Sequence, residues 1–245
     1  MWVTRHASTE DVAGAAVAAS NSPALWTQGR ASFLAAQPLS AALVQPLQRA
    51  LFDESPAAWD PAVAAELPPF TGNRVWALAD PGTRVDHFVR RLARAYTALA
   101  LALEQPATAL WPLSRRAAWR QALWARHHAP LARARGLVDE LGMGPRFNGA
   151  LCFRAEATQA AVRLWFWAER LGVFPGGLVA VWPQPGGALM LQLCAHGNLH
   201  VEAYGTVALE AAQSLAPACG WVAVQGSCVS AWQQGTAIPG RELRI

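Results

Sequence analysis

Lysine is absent from this 245-residue chain, and all 20 basic side chains are Arg. Arg presents a planar fork that fits phosphate better than the point charge of an ammonium group. Cysteine is scarce: Cys152, Cys194, Cys219 and Cys228 are too few and too scattered for a disulfide framework. No C-x-x-C pair, no H-E-x-x-H and no dense carboxylate cluster occurs, so no metal and no other cofactor is expected. Charged residues make up only 15% of the chain against 53% apolar, which excludes a wholly disordered polymer. The 17 Pro and 19 Gly interrupt the apolar stretches before any reaches the ~18 residues of a membrane span. Arg5, Glu10 and Asp11 break the Ala-rich start, so no signal peptide is expected and the cytoplasm is the default location. Gly142 and Gly144 are too few for a dinucleotide fingerprint, and no Walker pattern is present.

What the chain does have is a lopsided charge distribution. Ten Arg and only Asp86 and Glu104 lie between Arg84 and Arg135, a local charge of +8 against −4 for the remainder. Such asymmetry is the footprint of an anionic partner, nucleic acid being the commonest. Apolar residues at Val85, Phe88, Val89, Leu92, Tyr96 and Leu99 form a helical stripe, while Arg84, His87, Arg90, Arg91 and Arg94 share another arc. Pro106 ends that helix. A second helix is expected from Ser114 to about His128, with Arg116, Arg120, Trp124 and His127 on one face, and a third from Leu131 to Leu141. Arg115, Arg126, Arg133 and Arg135 complete the expected RNA-binding set. Guanidinium groups take phosphates and rings stack on bases, so Arg interleaved with aromatics suits RNA, single-stranded or stem-loop. The same residues also fit an ordinary helical hairpin with a solvated basic face and Trp111, Trp119 and Trp124 as its core.

On either side of this basic region the pattern is α+β. Residues 144–245 read as strand 146–155, helix 156–171, strands 178–182, 188–195 and 199–204, helix 206–215 and strand 221–232, a ferredoxin-like β-α-β-β-α-β plan with one extra strand. Residues 1–83 permit the same plan less clearly: strand 2–5, helix from Ser8 to Ala19, a strand pair 25–28 and 31–35, helix 40–52 and strand 74–79. Three segments result: an N-terminal module (1–83), a basic helical insertion (84–143) and a C-terminal module (144–245).

Two ferredoxin-like modules with an Arg-rich helical insertion resemble the CRISPR repeat-processing endoribonucleases of the RAMP superfamily, and are most similar to the type IV variety. The resemblance is one of layout. It implies a guide-RNA (crRNA) processing and retaining subunit, with other subunits of a ribonucleoprotein complex as partners and no membrane. It further implies RNA cleavage without metal, the 2′-hydroxyl attacking the adjacent phosphorus. The candidates for that chemistry are Arg5, His6, Arg30 and Arg241.

Two other classes compete. A non-enzymatic protein-interaction module, an immunity or assembly factor, would use the 12 Trp as contact surface. A transglutaminase-like thiol hydrolase would use Cys152 as nucleophile with His196 or His200 as base. His200 and Glu202 followed by Pro217 and Cys219 approach the zinc deaminase signature, but the offset is wrong and no further Cys follows at three residues.

Overall fold

Strands 108–112, 150–153 and 178–182 are apolar on nearly every position, and the computed structural model shows why: they are covered on both faces. The structure describes residues 23–52, 69–82, 84–225 and 228. In chain order its elements are β1 (Leu25–Gln28), α1 (Arg30–Ala36), α2 (Pro38–Phe52), β2 (Phe70–Leu78), α3 (Val85–Ala102), β3 (Thr108–Pro112), α4 (Trp119–Trp124), α5 (Ala132–Glu140), β4 (Ala150–Phe153), α6 (Thr158–Arg170), β5 (Leu178–Gln184), β6 (Gly187–Leu193), β7 (Leu199–Tyr204), α7 (Thr206–Leu215) and β8 (Trp221–Ala223). The strands form one eight-stranded sheet in the order β1-β4-β3-β5-β6-β7-β2-β8, every neighbouring pair antiparallel.

Side-chain alternation assigns the two faces. Leu151 and Phe153 of β4, Leu110 of β3 and Leu178, Ala180 and Trp182 of β5 join the large core under α3, α6 and α7. Their sequence neighbours Ala150, Cys152, Trp111 and Val179 face the other way, where Phe33, Leu34, Ala41 and Val44 of α1 and α2 cover them. Beyond β5 that second face is more open: along β7 the burial alternates strictly, with His200, Glu202 and Tyr204 only half-buried. Helix α6 is buried on most of its surface, from Ala161 through Trp165 to Ala168, and leaves only a narrow polar face at Gln159, Arg163 and Arg170.

The chain is therefore α+β, and the eight strands among the described residues share one sheet. β3, from the basic segment, lies between β4 and β5, and β2, from the N-terminal segment, lies between β7 and β8. Other differences are local. Residues 30–36 are helical rather than a strand partner for 25–28, because a helix turns both Phe33 and Leu34 onto Trp111 and its neighbours. The helix expected from Ser114 begins only at Trp119, whose backbone N–H donates to Phe147 O at 2.9 Å and whose indole N–H donates to Gly149 O at 2.8 Å. That buried anchor outweighs any cap Ser114 offers. The elements expected at 2–5 and 8–19 lie outside the described residues. No helix among the described residues is long and apolar enough to cross a membrane.

Candidate functional site

The basic segment separates into structural and free guanidinium groups. Arg91 is ion-paired with Asp80, and Arg120 lies 3.4 Å from Asp139 with its guanidinium 5.3 Å over the Trp124 ring. Arg135 is spent on the backbone, donating to the carbonyl oxygens of Leu123, Arg126 and His128, and Arg126 donates to Gly172 O. Arg115 is half-buried. Asp86, one of the two acids of the segment, is taken by Arg163 of α6 at 2.6 Å. Arg84, Arg90 and Arg94 on α3, Arg116 before α4, His127 after it and Arg133 on α5 are exposed. Among the described residues no carboxylate pairs with any of these five Arg. Of the expected RNA-binding residues, then, Arg84, Arg90, Arg94, Arg116, His127 and Arg133 face solvent, whereas Arg91, Arg120, Arg126 and Arg135 hold acid or backbone partners.

Of the candidate catalytic residues, only Arg30 lies among those described. Arg5, His6 and Arg241 lie outside the described residues. Arg30 opens α1 and lays its guanidinium over the Trp111 ring at 4.8 Å, on the face covered by α1 and α2.

Cys152 is 3% exposed, packed under the same two helices, and burial pushes its thiol up to about 12. Both candidate bases lie at the β6–β7 hairpin; β7 is four strand spacings from β4, about 19 Å. Cys219 likewise stays away from His200, in a turn beside α3.

A different set of residues does converge. The loop 194–198 joins β6 to β7, tied by Cys194 N–H to Asn198 O at 3.0 Å and Gly197 N–H to Cys194 O at 2.8 Å. His200 follows two positions into β7, and Cys228 returns from beyond β8 to lie against the loop. The Cys228 Sγ is 3.6 Å from Cys194 Sγ, 3.2 Å from His200 Nε2 and 3.5 Å from His196 Nδ1, and Asn198 Nδ2 donates to it at 3.3 Å. Donor atoms of Cys194, His200 and Cys228 all lie within 4.8 Å of one another. Backbone N–H groups of Asn198 and His196 hydrogen-bond the Cys194 sulfur, although burial still pushes that thiol up. Burial pushes His200 below the usual histidine value, the neighbouring His196 adding to the effect and Glu202 opposing it.

Gly197 makes the loop possible. Its φ is +79°, and a Cβ there would stand 2.6 Å from the Phe88 ring. Gly197→Ala should therefore cost about 2 kcal/mol from backbone strain and crowding, read as a lowered urea midpoint; an unchanged midpoint would show that the loop relaxes freely.

A search for C-x-x-C spacing misses this cluster, because its residues run Cys194, His196, His200 and then Cys228 beyond another strand. Among the described residues, Cys194, His200 and Cys228 come close enough to share an ion, with His196 beside Cys228. The sequence signal is the run Cys194, His196, His200. No family model, curated protein or solved structure matches the chain.

Proposed function

We propose that the chain binds RNA through the guanidinium groups that α3 and the α4–α5 region leave in solvent. The observation that carries this reading is the set Arg84, Arg90, Arg94, Arg116 and Arg133, exposed and without a carboxylate partner among the described residues. A basic surface that only kept the protein soluble would be expected to intersperse its charges with acids. Here the segment's Asp86 is neutralised and the surplus remains outward. Trp124, half-buried beneath Arg120, adds a ring at the edge of this surface. The guide-RNA-processing form of the reading, with cleavage by 2′-hydroxyl attack, adds Arg5, His6, Arg30 and Arg241 as the groups that would move the proton and hold the phosphoryl oxygens.

The test is the salt dependence of binding to a labelled single-stranded RNA. Five phosphate contacts give a slope of log K against log salt of about −3.5. Replacing Arg90 and Arg94 together by Gln should flatten it by about 1.4 and weaken all RNA sequences alike. Arg91→Gln serves as a contrast, since that side chain is already paired with Asp80. Absence of RNA binding, or a slope unmoved by the double substitution, would leave the surface merely solvated. Capture of a protein partner with little salt dependence would favour the interaction-module reading instead.

A further inference from the structure

The loop between β6 and β7 and the returning Cys228 place three metal-ligating groups, Cys194, His200 and Cys228, within 4.8 Å of one another, and their spacing can be compared with that of a known ion. Tetrahedral zinc holds sulfur at about 2.3 Å and nitrogen at about 2.05 Å, so two such sulfurs stand about 3.8 Å apart and a sulfur and a nitrogen about 3.6 Å. Cys194 and Cys228 are 3.6 Å apart, and the two imidazole nitrogens lie 3.2 Å and 3.5 Å from Cys228 Sγ. Cys194, His200 and Cys228 are thus spaced as ligands of one ion, whereas His196 is close to Cys228 without joining that group.

The alternative is a cluster held by hydrogen bonds alone, and proton counting argues against it. Four polar atoms surround the Cys228 sulfur: a second thiol, two imidazole nitrogens and the Asn198 amide. A neutral thiol is a weak donor with one proton and a weak acceptor, so it cannot satisfy that many partners. A thiolate bound to a cation can: it faces the metal on one side and accepts N–H groups on the other. The Asn198 amide aims at Cys228, and the backbone N–H groups of His196 and Asn198 aim at Cys194. Donors directed at ligating sulfur in this way orient it and temper its charge.

We propose that Cys194 Sγ, His200 Nε2 and Cys228 Sγ hold a zinc ion, with His196 beside them, its Nδ1 3.5 Å from Cys228 Sγ. Two soft sulfurs and an imidazole suit zinc rather than magnesium or calcium, which take oxygen ligands. Three protein ligands leave a fourth tetrahedral position beside His196. The ion ties Cys228 to the β6–β7 hairpin and fixes that end of the molecule. It belongs to a different part of the chain from the RNA surface and stands whether or not RNA binds.

The experiment uses the full chain, prepared in reductant without chelator. Zinc analysis should find about one ion per chain. Exchange for cobalt(II) should give sulfur-to-cobalt charge transfer in the near ultraviolet together with the intense visible bands of a tetrahedral centre. Cys194→Ser, Cys228→Ser and His200→Gln should each lose the ion, whereas Cys219→Ser, outside the cluster, should keep it. His196→Gln should keep the ion and the charge transfer, because Cys194, His200 and Cys228 remain. Because cobalt titration of the unaltered protein reads the site directly, a variant that fails to fold does not decide the matter. The proposal is overturned if the reduced wild-type protein takes up neither zinc nor cobalt, if cobalt shows only the weak spectrum of an octahedral aquo-type site, or if both Cys variants retain the metal.

Discussion

Thr108→Val should destabilise the protein by about 2–5 kcal/mol, although the two side chains have almost the same shape. Thr108 sits on β3, 5% exposed, beneath α3 and α6. Its hydroxyl oxygen accepts from Trp182 Nε1 at 3.1 Å and from the Tyr96 hydroxyl at 3.3 Å, both donors being buried. Burial holds the Tyr96 phenol protonated far above its usual value, so it remains a donor at any ordinary pH. Valine removes the shared acceptor and leaves two desolvated donors unsatisfied, each costing about 1–3 kcal/mol. Thr108→Ser retains the oxygen and should recover most of the loss, giving up only a methyl group worth about 1 kcal/mol. Urea unfolding of the pair separates hydrogen bonding from packing. If Val proves as stable as Ser, the trio contributes shape and nothing more.

Glu169→Gln should stabilise the protein above neutral pH and flatten its pH dependence. Glu169 ends α6 under the turn at Gly177, and its Oε1 accepts the Leu178 N–H at 2.6 Å. Burial raises its carboxyl from 4.5 to about 7, with the Leu178 N–H partly opposing the rise. A folded-state value above the unfolded one means that the fold favours the protonated acid. The stability it contributes is complete below about pH 4.5 and is lost as pH rises through about 7. At about 1.4 kcal/mol per tenfold change in proton affinity, the loss amounts to about 3 kcal/mol by pH ~8.5. Glutamine keeps an acceptor for Leu178 and never ionises. The difference between wild-type and variant urea stabilities, followed from about pH 5 to about pH 8.5, should therefore widen with pH. Parallel curves would show that water reaches the carboxylate and that the acid is not strained.

The first of these sites shares a feature with the Cys–His cluster: each depends on partners remote in the chain. Thr108 meets Trp182 and Cys194 meets Cys228, while Glu169 meets the start of β5 across a turn. None follows from helical or strand periodicity. The expected helices at 84–105, 156–171 and 206–215 do follow from it, and they appear as α3, α6 and α7 with their ends moved by a few residues. A helix closes its hydrogen bonds within four residues, so an apolar period of 3.6 and a terminating Pro or Gly are enough to mark one.

Strands are different, because a strand's partner is not written beside it. β3, only five residues long and ended by Pro112, reads as part of a loop until it is seen filling the gap between β4 and β5. The sequence by itself determined the α+β character, the three long helices, the strands from β5 through β7 and the concentration of Arg between 84 and 135. Tertiary structure alone decided that all eight strands share one sheet, that Arg91, Arg126 and Arg135 hold backbone or acid partners while Arg84, Arg90 and Arg94 face solvent, and that Cys228 meets Cys194, His196 and His200. Periodicity and composition are local quantities. Strand order, ion pairing and the meeting of ligands 28 to 34 residues apart are set by how the whole chain closes on its core.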